Sequence, residues 1–219
     1  MFAQYLCETE FLDFNDPVID RFVGDLDLSI GKRETMLTLY YKVRDGFIYD
    51  PYHLDLRPKA LKASTIAINK RAWCVEKSIL LAALYRKLGF PSRLGYAIVL
   101  NHLGTEKLTH YLRREEIVFH GYVDVYFENR WIKCTPAFDR RICRLNGVSP
   151  LDWDGERDSL FQEFEGGKRF MEYVHFYGHF SNVPIELMNA EMKKYYPHLF
   201  ESEYNLPEFS FKHLWTNSN

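Results

Sequence analysis

Cys74 and His120 are the two residues of this chain whose types and settings suit nucleophilic chemistry: a thiol to attack and an imidazole to take its proton. Cys74 stands at the head of the most hydrophobic stretch, which runs from Val75 to Leu88. That stretch is rich in Leu and Ala with apolar residues on nearly every face, which predicts a buried helix. Gly89 and Pro91 mark its end, one as a left-handed cap and the other as a residue that cannot continue a helix. Cys74 then lies in or just before the first turn, where unpaired backbone N–H groups and the helix dipole favour an anion and lower a thiol's pKa. On this reading Cys74 is the most reactive cysteine near neutral pH. The plainer alternative is a core cysteine, the common fate of a free thiol.

His120 belongs to a predicted hairpin. Between Ile117 and Phe127, Val123, Val125 and Phe127 alternate with His120, Tyr122, Asp124 and Tyr126, the period of a strand. The chain resumes at Trp131 after Glu128-Asn129-Arg130. With Glu128-Asn129 as a two-residue turn, His120 faces Ala137, and Thr135 and Asp139 flank it diagonally, about 7–8 Å away by Cα. Asp124 faces Lys133, which reads as a cross-strand ion pair. A helix-start Cys, a strand His and a carboxylate within reach of the ring compose a thiol dyad or triad.

The segments Trp73 to Arg93, His120-Gly121-Tyr122-Val123-Asp124-Val125-Tyr126 and Trp131 to Phe138 resemble the transglutaminase-like superfamily of papain-type cysteine enzymes. Asp50-Pro51-Tyr52, Leu94-Gly95-Tyr96, Asn101-His102, Asp158 to Phe161 and Met171 to Val174 extend the resemblance to one mostly bacterial branch, over roughly residues 10 to 185. The resemblance implies an α+β, papain-like transglutaminase-core fold, with Cys74 as nucleophile and His120 as general base. The superfamily's usual Asp, four residues after the hairpin Trp, is here Thr135. The branch carries Asn or Asp after Thr-Pro-Ala-Phe, which makes Asp139 the expected third member, with chemistry outweighing position. The implied reaction is acyl transfer through a thioester, on a peptide, protein or small amide, released to water or to an amine. The Cys74 N–H is one oxyanion donor; Trp73, Asn69 and Tyr52 are candidates for a second. Two alternatives stay open: a non-catalytic binding or scaffolding protein on the same fold, and an arylamine N-acetyltransferase-like enzyme.

The remaining elements frame this site. Asn15-Asp16-Pro17 starts a helix, Ser29 starts a longer one ending near Gly46, and Arg57-Pro58 opens a short one before Ala72. After the Cys helix, Arg93 to Leu100 reads as a strand, giving an antiparallel sheet of at least three strands with the hairpin. Residues 101–116 read as a cleft-side excursion. The part after Asn146 reads as a turn-rich tail with short helices at most until Ile185 to Tyr196. Helices first and strands later indicate α+β. At 219 residues, one domain spanning 1–219 is expected, with its core at about 30–140.

The 28 basic and 30 acidic residues are interspersed, for a net charge of −2, which argues against a nucleic-acid partner. No apolar run reaches ~18 residues, and the start lacks the pattern of a signal peptide, so a cytoplasmic protein without a membrane span is expected. Cys7, Cys74, Cys134 and Cys143 have no metal-site or disulfide spacing and read as reduced thiols. His175 and His179 are four apart, but Gly178 lies between them and no zincin Glu follows, so no metal is expected. Nor is any cofactor: Gly95, Gly104 and Gly121 form no phosphate loop. Arg113-Arg114-Glu115-Glu116 reads as a solvated strand entry.

Overall fold

The computed structural model describes residues 2–52, 54–101, 106–160 and 171–200. α1 (Pro17–Val23) begins as expected: the Asp16 carboxylate accepts the Val18 N–H at 2.8 Å, and Pro17 sits where no N–H is needed. α2 (Lys32–Gly46) starts later than Ser29 suggests, because Leu28–Ile30 forms a single 3-10 turn and Gly31, at φ 102°, redirects the chain. β1 (Ile48–Tyr49) and β2 (Arg71–Ala72) pair in parallel, with α3 (Ala63–Ala67) on the excursion between them. The short helix before Ala72 is thus α3, not one opened by Arg57-Pro58. The β1–β2 ladder leads the chain into α4 (Cys74–Lys87), which is buried from Cys74 to Arg86. Even Lys77 is enclosed, its ammonium donating to the carbonyls of Arg44 and Phe47 at 2.8 and 2.9 Å, which close the end of α2.

α4 packs on an antiparallel sheet of order β5-β4-β3-β6, built from β3 (Ser92–Asn101), β4 (Glu116–Phe127), β5 (Arg130–Cys134) and β6 (Met171–Phe180). This is the α+β arrangement the sequence predicts. Ile79, Leu80 and Ala83 of α4 share one core with Leu94, Val123, Val125 and Ile132. The opposite face gathers Ala97, Val99, Tyr122, Leu160 and Met171. α5 (Glu106–Leu112) fills the excursion between β3 and β4; α6 (Arg140–Leu145) follows β5, and α7 (Ile185–Tyr195) follows β6.

The hairpin register is the predicted one, with Val123 opposite Cys134 and Phe127 opposite Arg130. Glu128 and Asn129, at φ 47° and 63°, are both left-handed, as a two-residue hairpin turn requires. The ladder stops at Cys134, however. Pro136 has no N–H to give, and the Thr135 N–H bonds to the Ser159 carbonyl at 3.1 Å, so His120 and Ala137 do not pair.

Two further expectations are corrected. The tail contains β6, the fourth strand, paired along β3. Asp124 does stand opposite Lys133, but its carboxylate bonds Arg93 of β3 at 2.7 Å and His179 of β6 at 3.0 Å, while Lys133 pairs with Asp158. No helix among the described residues is long and apolar enough to cross a membrane. All four cysteines are free; Cys7 is exposed and the other three are buried.

Candidate active site

The β1–β2 ladder and β4 converge on the first turn of α4. A Cβ on Gly121 would lie 3.0 Å from the Val75 Cα and 3.1 Å from the Cys74 carbonyl oxygen, so only glycine lets β4 come this close to the helix. The Gly121 N–H, the N–H groups of Cys74 and Val75, and the Tyr49 hydroxyl all favour a thiolate at Cys74. Burial outweighs them. Cys74 is 1% exposed, and its thiol is pushed up to about 11. This reverses the expectation of an activated thiolate: in the resting chain the helix start does not offset desolvation, and exposed Cys7 is the more accessible thiol.

His120 precedes Gly121 and is fully buried, packed between Phe138 and Tyr173, with ring centroids 6.4 and 5.8 Å away. Phe119 just before it sits at φ 60°, where the β3–β4 register slips between Ala97 and Val99. Such a bulge re-aims the side chains that follow it. The Nε2 atom lies 3.4 Å from the Thr135 Oγ1, and Thr135 Oγ1 in turn donates to the Gly121 carbonyl at 3.2 Å. A hydroxyl has one hydrogen, so with that hydrogen on Gly121 the Thr135 oxygen accepts from His120. Nε2 then carries the proton, and Nδ1, buried and without a hydrogen-bond partner, is the basic nitrogen.

Asp139 does not reach the ring, which corrects its assignment as the third member. Its Oδ1 accepts the N–H groups of Arg141 and Ile142 at 2.8 and 3.1 Å, capping α6, and its Oδ2 accepts the Tyr49 N–H at 2.7 Å. The carboxylate is thus spent on three backbone donors. An Asp directly before a short helical run is itself a cap signal in the sequence. Its link to the thiol is indirect, through Tyr49. The position the superfamily gives to Asp is the one that touches His120, but as a neutral hydroxyl.

Of the candidate second donors, Trp73 lines the cavity beside Cys74, and its indole Nε1 is buried without a partner. The Trp73 backbone N–H donates to the Glu76 carboxylate at 3.0 Å. Asn69 is exposed and borders a separate depression with Arg140 and Arg144; Tyr52 packs its ring on Tyr111 at 5.4 Å. The Asn101 side chain, His102 and Gly104 lie outside the described residues. His175 and His179 are on β6, where a spacing of four puts residues ~13 Å apart, too far to share a metal ion. Sequence reasoning did not single out Tyr49 or Gly121 as neighbours of the thiol, nor Met192 and Tyr196, which close its cavity. That cavity measures only about 20 Å³, space for a single water.

Burial holds His120 neutral, its pKa pushed down to about 4 from an ordinary 6.5. Between those values the unfolded chain binds a proton that the folded chain refuses. Stability therefore falls as pH drops from 6.5 to 4, by roughly 3 kcal/mol, and is unaffected by this group above 6.5. Thermal unfolding of the wild type and His120→Gln across this range should show the wild type losing about 6–12 °C more than the variant.

A buried helix headed by a thiol, laid on an antiparallel sheet whose neighbouring strand carries a histidine, is the papain-like transglutaminase-core architecture. Residues 26–136 match the Transglutaminase-like superfamily, and the chain belongs to that superfamily of cysteine enzymes. Cys74, His120 and Thr135 fall inside the matched segment; Asp139, β6 and α7 fall outside it. A candidate cysteine protease of known crystal structure from Cytophaga hutchinsonii is similar at 13% identity and a TM-score of 0.46, over 62% of this chain and 41% of that one. The likeness thus spans less than half of that protein's length. No curated protein matches the chain.

Proposed function

We propose that the chain is a cysteine acyl-transfer enzyme in which Cys74 forms a thioester and His120 moves the protons. The observation that carries this reading is the Thr135 relay. It fixes the proton on Nε2 and leaves Nδ1 basic, one residue from the glycine whose N–H reaches the Cys74 sulfur. With the thiol and imidazole both neutral at rest, His120 acts as a general base during attack rather than as half of a standing ion pair. Sγ adds to an amide carbonyl while its proton passes to Nδ1; the C–N bond then breaks as the amine takes that proton. Water or a second amine attacks the thioester, gives its proton to His120 and releases the thiol. The Cys74 N–H and the Trp73 Nε1–H are the donors that meet the oxyanion.

A p-nitrophenyl ester tests this. A stoichiometric burst of nitrophenolate is expected, with one acyl group mapped to Cys74 by mass spectrometry and no burst from Cys74→Ala. Release of the acyl group to water alone or also to an added primary amine then separates hydrolase from transferase. The burial of Cys74 favours one second reading, a binding protein that keeps the fold without the chemistry. It predicts no acylation by any ester.

A further inference from the structure

We infer that the cavity beside Cys74 is an acyl pocket selecting an aliphatic, uncharged group next to the scissile carbonyl, with Met192 limiting its length. The inference rests on the thioester reading above and names the substrate class of the same site. Leu54, Leu108, Leu112, Ile117, Val118 and Met192 supply its apolar walls, drawn from three helices or strands and the segment after β1. Among the described residues no carboxylate, ammonium or guanidinium lines it.

Among the described lining residues the tyrosine hydroxyls are already committed, and the Trp73 indole is not. The Tyr196 hydroxyl accepts the Val118 N–H at 2.9 Å and donates to the Glu116 carbonyl at 2.7 Å. The Tyr49 hydroxyl is turned to Cys74. The Trp73 Nε1–H remains, buried and without a partner, on a residue that lines the cavity. Among the described residues the site thus offers the Cys74 N–H and the Trp73 Nε1–H at the reacting end and no uncommitted side-chain donor along the acyl chain. Among the described residues a carboxylate there would meet no counter-charge, and a carboxamide would lie against aliphatic side chains.

Length is set by closure. At about 20 Å³ the cavity admits little beyond the first carbons of a chain unless a wall yields. Met192 is the wall residue best able to yield, since its unbranched thioether repacks readily. Within the chemistry proposed, the Sγ–acyl bond forms as the ester C–O bond breaks, and nitrophenolate leaves.

The experiment compares burst rates for p-nitrophenyl acetate, butyrate, octanoate and the hemisuccinate, which matches butyrate in length but carries a charge. Butyrate is expected to acylate Cys74 at least about a hundredfold faster than hemisuccinate, with octanoate well below butyrate. Met192→Ala should raise the octanoate-to-butyrate ratio by about tenfold. The ratio is internal to each protein, so a loss of folded Met192→Ala cannot mimic the shift. Hemisuccinate within threefold of butyrate, or an unchanged ratio in Met192→Ala, overturns the acyl pocket while leaving the thioester standing. Absence of a burst with all four esters strikes the thioester reading itself, and the pocket with it. The wild-type ester series decides the charge question even if Met192→Ala does not fold.

Discussion

His120→Ala is expected to slow acylation of Cys74 by about 10²- to 10⁴-fold, the usual contribution of a positioned general base. The loss should be large because the resting thiol is neutral: without a base, attack must await the rare thiolate of a group pushed up to about 11. Thr135→Val should cost less than tenfold. Its hydroxyl only selects which ring nitrogen holds the proton, through a neutral bond of 3.4 Å, and such bonds contribute about 0.5–1.5 kcal/mol. Single-turnover burst rates for the two variants provide the check. An acylation rate in His120→Ala within threefold of wild type would show that another group takes the proton.

Asp139→Ala should instead act on stability. It removes a helix cap, which costs about 0.5–2 kcal/mol, and strands the buried Tyr49 N–H, which costs about 1–3 kcal/mol more. For a chain of 219 residues this lowers Tm by about 3–20 °C. Asp139→Asn keeps an accepting oxygen and should recover at least half of the loss. At temperatures where the variants remain folded, the acylation rate per folded molecule should fall less than tenfold. A carboxylate acting on His120 would give the opposite pattern, with Tm preserved and the rate down by orders of magnitude. Circular-dichroism melts beside burst rates on the same samples separate the two.

What could be read from the sequence was local. Val75 to Leu88 encodes a buried helix in composition alone, and the Glu128-Asn129 turn fixes the register of the hairpin through its fifth pair. The site needed more than this. Phe119 is an ordinary strand residue by type, so nothing in the alternation announces the bulge that re-aims the residues after it. Choosing between Thr135 and Asp139 turned on whether the ladder outlasts Pro136, a matter settled by Ser159 from a distant segment. β6 escaped because two register shifts and Gly178 at φ 104° break its period, although Tyr173, Val174, Phe176, Tyr177 and Phe180 are all good strand formers. The raised thiol pKa could not be foreseen either. Helix-start chemistry is visible in sequence, whereas the burial that overrides it includes walls from Leu108, Leu112 and Met192, remote in the chain.

The strand order of the sheet has a consequence for biosynthesis. β3 lies between β4 and β6, and the last of these is made some seventy residues after β3 ends, with α7 later still. A ribosome therefore releases Cys74, His120 and Thr135 well before Tyr173 can pack on the imidazole or Met192 and Tyr196 can close over the thiol. Domains generally complete their folding as units as the chain emerges. The nascent chain thus passes through an interval in which Cys74 lacks the cover of α7, and that helix with Tyr196 just after it completes the enclosure of the thiol.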